Sequence, residues 1–197
     1  MTGAARAPMR VDEPSRPVLF CDRDGTLIRD THYLRDASQV VLLPGAADLL
    51  RTFAAARWAL VVITNQSGIA RGLVTEAQYE ATRARLDALL AAEGVTLDAS
   101  FHCPHHPEIT GPCRCRKPGT LLHERARDQL KVDLACSVCI GDRWHDIEPA
   151  ATLGGRGILV AGPDTPAAER DRAAREMSVV DRVTDVAVLV LGGRFSA

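Results

Sequence analysis

The sequence is short of aromatic residues, of net charge and of long apolar runs, and each shortage removes a class of function. Only 4% of its residues are Phe, Trp or Tyr, too few for the stacking platforms that hold single-stranded nucleic acid. Its 24 basic residues face 25 acidic ones, a formal net charge of −1, so no basic footprint for a nucleic-acid backbone or an anionic membrane is present. No apolar run approaches the ~20 residues that span a bilayer. The opening MTGAARAPMRVDEPSR lacks the apolar core of a secretory signal. A cytoplasmic monomer is therefore expected, with no nucleic-acid or membrane partner. Residues 1–16 are expected to form a flexible N-terminal extension and residues 17–197 a single domain. A hydrophobic content of 46% supplies a core without disulfide staples, so the six cysteines need another explanation.

What is present is an alternation of apolar runs and helical patterns. Residues 17–22, 58–65, 136–142 and 156–162 are continuous apolar stretches of β character, as in strands buried on both faces of a parallel sheet. Helices are expected over 45–57, 75–94, 119–130, 145–153, 166–177 and 184–191, with a short strand at 179–181. The helix over 75–94 carries its own punctuation: Thr75 and Gln78 form a capping-box pattern, Tyr79, Leu86, Leu89 and Leu90 make one apolar face, and Gly94 ends it. Strand–helix alternation predicts a three-layer α/β fold with a doubly wound, mostly parallel sheet and no large cap domain. Ligands in such sheets sit beyond the carboxyl ends of the strands.

Three of the expected strands end in polar signatures. DRDGT places Asp22 and Asp24 one residue apart, where two like charges need a cation or a proton between them. Gly25 and Thr26 permit a tight turn whose amides can face an anion. TNQSG offers the Thr64 hydroxyl and the Asn65 amide to a phosphoryl oxygen. GDRWHD places Asp142 at a strand end, with Arg143 next and Asp146 four residues on, near a helix start. Hard carboxylate oxygens on neighbouring strand ends suit Mg2+. A fourth element, CRKPG, sets Arg116 and Lys117 before a helix, where Lys117 can neutralise a phosphoryl oxygen.

DRDGT, TNQSG, CRKP and GDRWHD, in this order, resemble the four motifs of the haloacid dehalogenase superfamily of phosphatases, over about residues 17–162. The resemblance implies that Asp22 is a nucleophile forming an aspartyl-phosphate. By the same resemblance Asp24 is the general acid and base, and Thr64 and Lys117 hold the phosphoryl group. It further implies Mg2+ held by Asp22, the backbone carbonyl of Asp24, and Asp142, with Asp146 and Arg143 supporting from behind.

Cys103, His105, Cys113 and Cys115 follow the pattern C-x-H-x7-C-x-C in a loop punctuated by Pro and Gly. Three soft thiolates and an imidazole suit a tetrahedral, structural Zn2+ with no open position. His102 or His106 could stand in for His105, which has the better spacing. Cys21, Cys136 and Cys139 lie in apolar strand runs and are expected in the core. With this loop the chain is similar to the heptose-bisphosphate and histidinol-phosphate phosphatases of that superfamily, the stretches TNQSGIARGLVTEAQY and CPHHPE being nearer the former. That likeness implies a small-molecule sugar bisphosphate substrate contacted by Asn65, Arg116 and Arg71. One residue departs from it: Arg143 stands where the heptose enzymes usually carry Lys and the histidinol enzymes often carry Arg, and the two cations are not equivalent.

Overall fold

In the computed structural model, which describes residues 15–192, six parallel strands form one sheet. They are β1 (Arg16–Cys21), β2 (Ala59–Asn65), β3 (Ala99–Cys103), β4 (Val132–Gly141), β5 (Arg156–Val160) and β6 (Ser178–Val180), in the order β3-β2-β1-β4-β5-β6. The chain thus winds outward from β1 in one direction and from β4 in the other. The order reverses between these two central strands, which pair from Val18↔Ser137 to Cys21↔Ile140. That reversal opens a crevice beyond their carboxyl ends. Most of the expected extension, residues 1–14, lies outside the described residues.

The continuous apolar runs are explained by burial on both sides. Leu19 and Cys21 of β1 join Leu60, Val62, Val138 and Ile140 in one cluster, and Val18 and Phe20 join Val61, Ile63 and Cys139 in the other. The first cluster is covered by α1 (Ala46–Ala55), α3 (Glu76–Ala92) and α9 (Asp185–Leu191). The second is covered by α5 (Leu121–Leu130) and α7 (Pro149–Leu153). Short helices α2 (Ser67–Ala70), α4 (Pro107–Thr110) and α6 (Trp144–Ile147) lie just after strands or in the cysteine loop, and α8 (Ala167–Glu176) precedes β6. The capping box of α3 is formed on both sides, with Gln78 N–H donating to Thr75 Oγ1 at 3.2 Å and Thr75 N–H to Gln78 Oε1 at 2.9 Å. Among the described residues no second domain interrupts the sheet.

Three details depart from the sequence-based expectations. β3, with the sequence ASFHC, has no apolar run to announce it; it is an edge strand whose residues are mostly half-buried. The single helix expected over 145–153 is two, α6 and α7, divided at Glu148–Pro149 because proline cannot donate to the preceding turn. Cys136 is exposed, not in the core. Its strand starts at Val132, and the pairing with β1 jumps from Pro17↔Asp133 to Val18↔Ser137, so residues 134–136 bulge out of the ladder. Cys21 and Cys139 are buried as expected.

Phe53 on α1 is fully buried and meets Trp58 edge-to-face with ring centroids 5.0 Å apart. Phe53→Ala is expected to lower the free energy of unfolding by about 3–5 kcal/mol, as read by urea denaturation.

Candidate active site

The crevice beyond β1, β2 and β4 gathers the polar strand ends. Asp22 leaves β1 with its N–H donating to Ile140 O of β4 at 2.9 Å. The chain then turns tightly: Leu27 and Ile28 N–H both donate to Arg23 O at 3.0 Å, and Gly25 N–H donates to Ile28 O at 2.8 Å. Gly25 has φ +80°, and a Cβ there would stand 2.8 Å from the Asp142 carboxylate. Only glycine admits both the conformation and the approach.

Lys117 is 4% exposed. Its ammonium donates to Asp22 Oδ1 at 2.5 Å and to Ile63 O at 2.6 Å, and it forms an ion pair with Asp146 Oδ1 at 2.7 Å. Burial works against this charge, but Asp146 and Asp22 outweigh it and hold the ammonium above its ordinary pKa. Asn65 fixes the lysine backbone, its Nδ2 donating to Lys117 O at 3.2 Å and its Oδ1 accepting from Lys117 N–H at 3.0 Å. The side chain expected to touch a sugar therefore has its amide engaged within the protein. Behind Lys117, burial and the nearby ammonium lower His123 to about 3, and its ring packs edge-on to Phe20 at 4.8 Å. It is a neutral core histidine.

Asp24 is held from two sides. Gln66 Nε2 donates to its Oδ2 at 2.9 Å and to Thr64 Oγ1 at 2.8 Å, while Thr64 Oγ1 lies 3.4 Å from the same carboxylate oxygen. From within the fold, the Arg23 guanidinium grips both oxygens, with Nε to Oδ2 at 3.0 Å and Nη2 to Oδ1 at 3.1 Å. Neither Gln66 nor Arg23 was anticipated as part of the site. The available signal was their position inside DRDGT and TNQSG, but their role depends on contacts that local pattern does not reveal.

Asp142 follows β4. Burial first, then the Asp146 charge, raise its carboxyl to about 7, against the pull of Arg143, whose Nε lies 3.4 Å from Asp142 Oδ2. Asp146 Oδ2 accepts from Arg143 N–H at 3.1 Å and so caps α6. Burial also raises Asp22; Lys117 opposes the shift, and Asp146, Asp24 and Asp142 reinforce it. One oxygen each of Asp22, Asp142 and Asp146 lies within 4.8 Å of the others. Three buried carboxylates around a single ammonium leave excess negative charge, and an all-oxygen donor set of this kind fits a hard divalent cation such as Mg2+. Beside them a cleft of about 250 Å3 is lined by Arg23, Asp24, Asp30, His32, Asn65 and Gln66, among others.

The thiol loop closes as the spacing suggested. His105 Nδ1 lies 3.1 Å from Cys115 Sγ and 3.7 Å from Cys103 Sγ, and the three sulfurs are 3.2–3.7 Å apart. All six cysteines are free. Ligands about 2.3 Å from a tetrahedral centre would stand roughly 3.7 Å from one another, so the four donors fit a Zn2+. Burial pushes the Cys103 thiol up to about 12, whereas for Cys113 hydrogen bonds with Cys115, the Arg116 amide and Cys103 outweigh burial and bring it down to about 7. His102 faces away, paired with Glu76 at 2.7 Å and stacked on Tyr79 at 4.0 Å. His106 Nε2 meets the exposed Arg71 Nη2 at 2.6 Å. Arg116 reaches back to His105 O at 3.5 Å. Arg71 and Arg116 thus sit against the thiol loop and do not line the cleft beside Asp24.

A HAD-hydrolase-like family model matches residues 114–186. The chain is 41% identical over 163 residues to a D-glycero-beta-D-manno-heptose-1,7-bisphosphate 7-phosphatase of Escherichia coli, covering 79% of this chain and 86% of that one. Among solved structures it is similar to a D,D-heptose 1,7-bisphosphate phosphatase from B. bronchiseptica complexed with magnesium and phosphate. That match has a TM-score of 0.76 and 30% identity, over 89% of this chain and 98% of that one. A putative HAD-like phosphatase from Mesorhizobium loti matches with a TM-score of 0.72 and 37% identity, over 80% of this chain and 78% of that one.

Gly25→Ala is expected to cost at least about 1–2 kcal/mol for the left-handed backbone alone. The contact with Asp142 adds to that cost, and chemical denaturation of the variant beside the parent measures both.

Proposed function

The chain belongs to the haloacid dehalogenase-like phosphatases, and on that premise we propose that it removes the 7-phosphate of D-glycero-D-manno-heptose 1,7-bisphosphate. The observation that carries this reading is the buried Lys117 ammonium shared by Asp22 and Asp146, with a second carboxylate, Asp24, held beside it at the same strand end. A phosphate monoester resists nucleophiles because its own charge repels them, so positioning and positive charge do most of the catalytic work.

In the first half-reaction an Asp22 oxygen bonds to phosphorus while the bond from phosphorus to the sugar oxygen breaks. Asp24 supplies the proton that makes the leaving oxygen an alcohol. In the second, a water oxygen bonds to phosphorus, the Asp22–phosphorus bond breaks, and the water proton returns to Asp24. Thr64 and Lys117 hold the phosphoryl oxygens. Bound by Asp22, Asp142 and the Asp24 carbonyl, Mg2+ would offset the charge shared by nucleophile and phosphate. Asp146 keeps Lys117 in place, and Arg143 steadies Asp142. Asn65 serves the site through the Lys117 backbone. Arg71 and Arg116, on the thiol-loop side, remain the cations for the far end of a sugar bisphosphate.

Cys103, His105, Cys113 and Cys115 would hold a structural Zn2+, and Cys115 is two residues from Lys117. Free thiols suit the reducing cytoplasm, where we place the protein as a monomer. No helix among the described residues is long and apolar enough to cross a membrane.

Phosphate release with Mg2+ from the α and β anomers of heptose 1,7-bisphosphate, beside histidinol phosphate, tests the substrate. A heptose anomer is expected to have the highest kcat/KM, and a clear preference for histidinol phosphate overturns the assignment. In the same assay Asp22→Asn is expected to abolish turnover, since its amide is isosteric but a poor nucleophile; appreciable residual turnover refutes the covalent route.

Cys113→Ala is expected to lose the bound zinc, measured by elemental analysis, to melt at lower temperature and to turn over more slowly with Asp22 intact. A zinc-free variant with unchanged melting and kinetics removes the structural role.

A further inference from the structure

Two strong bases are buried among the described residues, Lys117 and Arg23, and the reaction above uses only the first. Arg23 is 2% exposed, with its guanidinium turned back onto its own neighbour. Its Nη1 donates to Thr82 Oγ1 of α3 at 3.3 Å, and its central carbon stands 5.4 Å from the centre of the Tyr79 ring on the same helix. Thr82 is itself fixed by donating to Tyr79 O at 2.8 Å. Helix, arginine and carboxylate therefore form one rigid chain of contacts that ends at Asp24.

An ion pair of this kind is a poor device for stability. Taking a guanidinium out of water costs several kcal/mol, and well-packed apolar substitutes often do as well or better. Its effect at Asp24 is of another sort. Asp24 stands beside Asp22, a like charge, with its side chain 22% exposed. Left alone, it would swing towards water. A planar fork fixes both oxygens of a carboxylate at once, which a point charge cannot do.

The fork also makes the two oxygens unequal. Oδ2 accepts from Arg23 Nε, Gln66 Nε2 and, at 3.4 Å, Thr64 Oγ1, whereas Oδ1 accepts only from Arg23 Nη2 among the described residues. We propose that Arg23 is a positioning residue that locks the Asp24 carboxylate, saturating Oδ2 and reserving Oδ1 as the oxygen that carries the proton. The proposal rests on the phosphatase reading above. The Oδ1–H bond breaks as the leaving alcohol gains its proton, and it re-forms as the attacking water gives one up. Arg23 keeps its own protons throughout.

The test separates proton delivery from general damage through the leaving group. An alkoxide leaving group needs the proton from Asp24; 2,4-dinitrophenolate, a weak base, does not. Because kcat/KM reports events through the first irreversible step, it reads phosphorylation of Asp22 alone. For Arg23→Met, the ratio of kcat/KM on heptose 1,7-bisphosphate to that on 2,4-dinitrophenyl phosphate is expected to fall by about 100-fold, the order general acid catalysis supplies. Asp24→Asn should lower the same ratio, and adding Arg23→Met to it should lower it little further. Arg23→Lys keeps the charge without the fork and is expected to lower the ratio by about tenfold, which carries the test if the methionine variant does not fold.

Equal losses on both substrates, leaving the ratio unchanged, would make Arg23 a packing residue and overturn the proposal. So would an unaltered sugar-phosphate reaction in either variant. If the parent enzyme prefers histidinol phosphate, that ester replaces the sugar and only the substrate assignment fails. A parent with no Mg2+-dependent hydrolysis of any of the three esters removes the phosphatase reading and this inference with it.

Discussion

The site depends on an ammonium buried where three partners meet it. Lys117 can be taken out of water because Asp22 and the Ile63 carbonyl accept its hydrogens and the Asp146 carboxylate pairs with its charge. Each partner comes from a different part of the chain: the end of β1, the first turn of α6 and the last residues of β2. Losing both carboxylates would leave an uncompensated buried charge. The lysine thus fastens together the strand ends that the sheet brings near one another. In doing so it concentrates carboxylates, and their shared negative charge is what a divalent cation would answer.

The lysine is in turn placed by contacts that reach well away from the crevice. The Asn65 side chain spans from β2 to the Lys117 backbone with two hydrogen bonds. Cys115, two residues earlier, lies within reach of the other thiols and of His105. Asp24 is placed by a separate route through Arg23, Thr82 and Tyr79 to α3. Asp22 and Asp24, one residue apart in sequence, are therefore held from opposite sides of the sheet. One answers to the thiol loop and β4, the other to α3.

Elements with a strong local signal were legible in the sequence. The central strands declared themselves as apolar runs because both faces of the sheet are covered, and α3 carried its caps. β3 did not, because an edge strand only half-buried needs no apolar run. Cys136 misled because an apolar run says nothing about a bulge, which arises from pairing with β1. At the site, residue type and order pointed to Asp22, Asp24, Lys117 and Asp142, because DRDGT, CRKP and GDRWHD occur together and in sequence. Spacing favoured His105 over its neighbours, and the direction of each ring agrees, with His102 turned to Glu76 and His106 to Arg71. Arg23 and Gln66 were not legible in the sequence. Their partners are set by the turn after β1 and by α3, and no short pattern carries that information.

The geometry also changes what Arg143 means. In sequence it departs from the heptose pattern, with Arg where Lys is usual, and the two cations are not equivalent. In the structure its Nε faces Asp142 Oδ2 at 3.4 Å and its N–H meets Asp146. An arginine there acts on the carboxylates that surround Lys117, on the β4 side of the crevice. The cleft where a leaving alcohol would lie beside Asp24 is instead bounded by Asp30, His32, Asn65 and Gln66. A change of Lys to Arg at position 143 therefore bears on how Asp142 is held. The turn after Ile28, where His32 and Tyr33 keep left-handed backbones at φ +49° and +52°, forms part of the lining of that cleft.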